Sequence, residues 1–130
     1  MPHHRVVIPV LAVLAACLAG CGEEPPMEPG LCQFATHELL GKARDITVTS
    51  QSMRREPEGQ IEHVTIDLGF DFADGTSGKS RCDFVTREGI SRLTGLHIET
   101  PRLGSRDLEG NGLKLLQTLV SRESWRRSMQ

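Results

Sequence analysis

The chain is 130 residues long, with 15 basic and 17 acidic side chains and four cysteines. That length bounds it to one modest domain, and the near-neutral balance gives no basic footprint for nucleic acid. Four Phe, one Trp and no Tyr leave few aromatic stacking platforms.

The first segment, MPHHR, carries Arg5 and two histidines, and the next, VVIPVLAVLAACLAG, is apolar and uncharged from 6 to 20. A helix of that length covers about 22 Å at about 1.5 Å per residue. A bilayer core needs roughly 20 residues, so the run is too short to span comfortably. A charged start, a short apolar run and a small-residue end read as a secretory signal.

The run closes on Leu18-Ala19-Gly20-Cys21, which resembles the lipobox of bacterial lipoproteins. The resemblance implies a thioether lipid on Cys21, cleavage between Gly20 and Cys21, and acylation of the new amino group. Two or three acyl chains make a stable anchor where one holds only marginally. Cys17 then leaves with the signal. Gly22 follows the lipidated cysteine where inner-membrane lipoproteins often carry Asp. By that resemblance the protein sits on the outer membrane and faces the periplasm.

Residues 21 to 30 form the lipidated cysteine and a Glu/Pro-rich tether, GEEPPMEPG, which has no apolar periodicity. Extended as polyproline II, its nine residues reach about 28 Å. Residues 31 to 130 make the single folded domain. Loss of Arg5 leaves the mature chain with 14 basic against 17 acidic side chains.

Two cysteines remain in that domain, Cys32 and Cys82. An even count in an exported chain reads as a disulfide. Closing a loop of about 50 residues stabilises by about 4 kcal/mol in the chain-entropy model. A reactive or metal-binding thiol pair is the competing reading, and it lacks both CxxC spacing and a Cys-His cluster.

LCQFATHELLGKA, 31 to 43, places Cys32, Ala35, Leu39 and Ala43 on one helical face. DITVTSQSMRR, 45 to 55, is rich in β-branched residues and reads as a strand, with a turn over REPEG. QIEHVTIDLGFDF, 60 to 72, alternates strictly, with Val64, Ile66, Leu68, Phe70 and Phe72 on one side. Such a strand is buried on one face only, in an antiparallel sheet wet on the other. ADGTSG closes a hairpin. KSRCDFVT, 79 to 86, turns Cys82 and Phe84 inward, opposite the helix that carries Cys32. SRLTGLHIET, 91 to 100, points Leu96 and Ile98 inward and ends before Pro101. RLGSRDLEGNG, 102 to 112, reads as loop, and 113 to 127 as a helix with Leu113, Leu116, Leu119 and Val120 on one stripe.

The predicted fold is α+β: a four-stranded antiparallel sheet, an N-terminal and a C-terminal helix packed on one face, and one disulfide. The Cys32 helix, the alternating strand and the RCDF strand are also similar to a pattern among small periplasmic lipoproteins. That likeness implies no activity.

Catalytic constellations are not apparent. Asp67 and Asp71 share a strand face at roughly 13 Å, beyond the spacing of glycosidase carboxylates. His37, His63 and His97 match no metal spacing, ADGTSG lacks the acidic repeats of a calcium loop, and no GxSxG, P-loop or dinucleotide motif occurs. No cofactor or metal is expected. Trp125 is expected to pack at the edge of the core, or else to anchor a partner. The sequence thus favours a non-enzymatic module that binds another envelope protein. Its candidate contact surfaces are the polar strand face with His63, Thr65, Asp67, Asp71, His97 and Glu99, and the last helix around Trp125. A domain binding a small ligand, a peptidoglycan fragment or a metal ion is the alternative, and a small hydrolase the third.

Overall fold

The computed structural model describes residues 25–41 and 45–130. The apolar run, Cys21 and Ala43 lie outside them. Helix α1 spans Glu28–Leu40, strands β1 to β4 span Ile46–Glu58, Ile61–Phe72, Ser77–Arg87 and Ile90–Thr100, β5 spans Gly104–Asp107, and helix α2 spans Gly110–Ser128. Among the described residues the class is α+β as expected, with two helices, an antiparallel sheet in the order β1-β2-β3-β4-β5, and a disulfide between Cys32 and Cys82.

The sheet has five strands rather than four. Pro101 does not end it. The chain turns over Pro101–Leu103, Thr100 Oγ1 accepts the Leu103 amide at 3.0 Å, and the chain returns as β5. GSRD has no apolar alternation to announce a strand; its ladder against β4 holds it (His97 opposite Asp107, Glu99 opposite Ser105). The other boundaries shift too. Residues 28–30, expected in the tether, open α1, because Pro29 fits a first helical turn that needs no amide there. The expected turn over 55–59 shrinks to Gly59-Gln60, where Gly59 takes φ of 63° and β1 runs on to Glu58.

Alternation along β2 buries Val64, Ile66, Leu68 and Phe70 against Cys82 and Phe84 of β3. From β4 come Leu93, Leu96 and Ile98, from α1 Leu31, Cys32 and Ala35, and from α2 Leu116 and Val120. Leu113 and Leu119, expected on the buried stripe, are half-buried. Two bulges alter the simple pattern. Thr49 is an extra residue between Val48 and Ser50, so beyond it Gln51, Met53 and Arg55 share the face of Ile46 and Val48. Thr94 is extra between Leu93 and Gly95, which turns Leu93 and Ser91 to the buried face.

The buried polar atoms are satisfied. Thr36 Oγ1 bonds the Cys32 carbonyl and Ser80 Oγ, each at 2.8 Å. Glu28 lies beneath the first turn of α1 and accepts from Arg55 at 2.9 Å, Ser91 at 2.8 Å and Thr86 at 3.2 Å. Among the described residues no helix is long and apolar enough to cross a membrane.

Candidate functional site

The disulfide ties α1 to β3 beneath the sheet. Its Cα atoms lie 5.7 Å apart, within the usual disulfide span. Both cysteines are fully buried, which suits a structural staple rather than a reactive thiol.

Opposite the apolar face, one side chain from each strand falls into a single cross-strand row: Ser52, Asp67, Arg81, His97 and Asp107. Side chains directly opposite one another are close enough to interact, and here the acidic Asp67 and Asp107 flank the basic Arg81 and His97. Arg81 Nε donates to Asp67 Oδ1 at 2.9 Å. That bond, with the carboxylate's charge, raises the Arg81 pKa above its ordinary value. His97 Nδ1 meets Asp107 Oδ1 at 2.7 Å, and its Nε2 meets Ser105 Oγ at 3.0 Å and Glu99 Oε1 at 3.3 Å. An open depression of about 510 Å³ runs along this row, with Asp67, Lys79, Arg81, His97 and Glu99 on its walls.

Ser105, His97 and Asp107 follow the order of a nucleophile, a base and an orienting carboxylate. The bonds to Asp107 and then to Glu99 raise the imidazole's pKa above its ordinary value. Glu99 Oε1 also lies 3.4 Å from Ser105 Oγ, so the hydroxyl is shared between the imidazole and a second carboxylate. These bonds tie β4 to β5.

The other sequence-predicted residues spread over the same face without converging. His63 sits at the far end of β2 and bonds Glu58 at 2.6 Å. Thr65 donates to Asp83 at 3.3 Å, and Asp71 accepts from Ser77 at 2.7 Å. Asp67 and Asp71 are therefore engaged separately, as charges on a wet sheet face. Arg81 and Lys79 were missed as members, although they alternate with the inward Cys82 and could have been found by extending that pattern. Asp107 and Ser105 gave no such signal, because their strand reads as loop.

Trp125 does not pack at the core edge. It is 68% exposed on α2, with Leu115 and Met129 similarly open. The helix turns Val120 and Leu116 inward, and its inward carboxylate Glu123 is clasped by Arg126 and Arg127 at 2.7 and 2.9 Å. Beside Trp125 a groove of about 680 Å³ is lined by Arg92, Lys114 and Arg122.

Among the described residues no group of three or more His, Cys, Asp or Glu could hold a metal ion. No family model, curated protein or solved structure matches this chain.

Proposed function

We propose that the chain is a lipid-anchored module of the bacterial envelope that binds a protein partner through the polar face of its sheet, without a catalytic step. The Leu18-Ala19-Gly20-Cys21 sequence supports acylated Cys21 as the anchor and a periplasm-facing position on the outer membrane. Both helices would cover the opposite, apolar face. The Cys32–Cys82 bond, the Thr36–Ser80 contact and the hydrogen bond from Gln117 to the Leu93 carbonyl support that arrangement.

The observation that carries the reading is the five-strand row from Ser52 to Asp107. Its carboxylates Asp67 and Asp107 flank the basic Arg81 and His97, and the cross-strand hydrogen bonds hold them in place before a partner arrives. Preorganised charge mosaics of this kind favour specificity over raw affinity. The bonds of His97 to Asp107 and Glu99 support binding rather than turnover. The depression along the row favours a second reading, a small zwitterionic ligand such as a peptidoglycan fragment.

Photocrosslinking residues at Ser52 and Arg81 in intact cells test the contact. A discrete protein adduct, lost on pairing Asp67→Lys with Asp107→Lys while the fold persists, is the expected result. Each reversal removes a cross-strand pair and sets a lysine beside Arg81 or His97. The melting temperature and the exchange of the Leu108 amide are therefore measured alongside, to show that the fold and β5 persist. Adducts to no protein, with isolated envelope glycan fragments protecting the row from modification, would turn the assignment to the small-ligand reading.

A further inference from the structure

The solvent-facing arc of α2 has the composition of a membrane-surface helix. Counting about 100° per residue, Leu115, Arg122, Trp125 and Met129 fall within one arc that also takes in Lys114 and Arg126, opposite the buried Val120. Its large apolar side chains are all well exposed, and its charged members are all cations; the helix's one glutamate, Glu123, points inward and is neutralised. Trp with aliphatic side chains beside Lys and Arg is the pattern of helices that lie in a bilayer interface. That cationic arc belongs to a chain whose mature form carries more acidic than basic groups.

The second observation is where the chain leaves the fold. Met27 precedes α1, and its sulfur accepts a hydrogen bond from Ser124 Oγ at 3.3 Å, so the chain exits beside the turn that carries Trp125. Only six residue steps separate Met27 from Cys21, a reach of about 20 Å at most. That reach exceeds the 10–12 Å diameter of a helix. A lipid on Cys21 therefore leaves the α2 flank able to reach the bilayer surface.

We propose that the outward arc of α2, with Trp125, Met129 and Leu115 as its apolar contacts and Lys114 and Arg122 as its charges, docks on the anionic surface of the membrane that carries the Cys21 anchor. The groove lined by Arg92, Lys114 and Arg122 receives lipid phosphates. This rests on the lipoprotein reading, and it gives the module an orientation: α2 lies against the lipid and the polar sheet face is turned toward the periplasm.

Trp125 is the only tryptophan in the chain, so its fluorescence reports the contact directly. Full-length protein extracted from membranes is reconstituted in phosphatidylglycerol-containing vesicles or in phosphatidylcholine vesicles, with brominated acyl chains as depth quenchers. Intact-mass measurement reads Cys21, and vesicle flotation reads anchoring. The expected result is blue-shifted emission, quenched by bromolipid and shielded from acrylamide, in the anionic vesicles. Pairing Lys114→Gln with Arg122→Gln should weaken docking by about an order of magnitude while leaving flotation unchanged. Acylated protein that floats with Trp125 open to acrylamide and unquenched by bromolipid overturns the docking alone. An unmodified Cys21 in wild-type protein overturns the anchor, and the docking with it.

Discussion

Glu28 Oε2 and Arg55 Nη2 meet at 2.9 Å under the first turn of α1, where the carboxylate is only 3% exposed. Two bulges make this cluster. The extra Thr49 turns Arg55 to the inner face, and the extra Thr94 does the same for Ser91. The α1 amino terminus adds its partial positive charge. Removing one partner of a buried pair strands the other. Glu28→Ala should therefore cost about 3 kcal/mol in urea unfolding. Glu28→Gln, which keeps the volume and some hydrogen bonds, should cost less. Arg55→Met should cost at least as much as Glu28→Ala, because it leaves the buried Glu28 carboxylate with hydroxyl donors and no cation. Arg55, by contrast, is partly exposed and keeps Glu62 at 3.6 Å when Glu28 is lost.

The disulfide joins residues 50 apart in sequence and ties α1 to β3. Replacing both cysteines by alanine should destabilise by up to about 4 kcal/mol, a large share of a domain stability of about 5–15 kcal/mol. Urea midpoints with and without reductant check this, and the double variant should show no further response to reductant.

Regular periodicity made most of the core readable, and local irregularity hid the rest. In β2, Val64 to Phe70 alternate without a break, so their burial follows from the sequence alone. The facing of Cys32 and Cys82 followed from a helical period and a strand period read independently. Leu93 was missed because one inserted residue reverses the phase of alternation, and nothing in RLTGL marks Thr94 as the insertion. β5 was missed because its four residues are all exposed and bury no apolar side chain. Of the candidate site, His97 and Asp67 could be placed on the polar face by alternation. Their partners Asp107 and Arg81 could be paired with them only through the register. The exposure of Trp125 is a tertiary fact: the stripe through Leu116 and Val120 had already used the inward face of α2.

Gly78 lies buried beneath the Phe70 ring. A Cβ there would sit 2.6 Å from the ring and 3.1 Å from the Glu99 carbonyl oxygen. The ring and the backbone cannot both retreat from a packed core, so Gly78→Ala should cost about 1–3 kcal/mol. Gly69 on the polar face is the control. Its Cβ would meet the Ser50 hydroxyl, which can rotate into solvent, so Gly69→Ala should cost clearly less in the same thermal melts.

Bonds from Arg126 and then Arg127 lower the Glu123 carboxyl from 4.5 to about 2. A carboxyl depressed on folding stabilises above its unfolded pKa and loses that contribution as pH falls through its folded value. Stability should therefore decline between about pH 4.5 and about pH 2 through this group. Glu123→Gln should remove that part of the acid dependence, at a cost of about 0.5–1 kcal/mol near neutrality. Urea titrations at a series of acid pH values measure both effects.

His97 titrates with the opposite sign. Its bonds to Asp107 and then Glu99 raise its pKa on folding, so the stability it contributes is fully present below the unfolded value and is lost as pH rises through the folded one. The structural consequence falls on β5, a four-residue edge strand that His97 fastens to β4 through Asp107, with the Leu108 amide bonded to the Leu96 carbonyl at 2.9 Å just beyond it. Amide exchange at Leu108, corrected for its intrinsic pH dependence, should speed up as His97 deprotonates, while amides of β2 hold steady. Proton NMR of the imidazoles should place His97 above 6.5, the ordinary histidine value. Asp107→Asn removes the first of the two carboxylates, and should lower that pKa and shift the β5 opening to lower pH by the same interval. An unchanged His97 titration in the variant would show that Glu99 alone sets the charge of the ring.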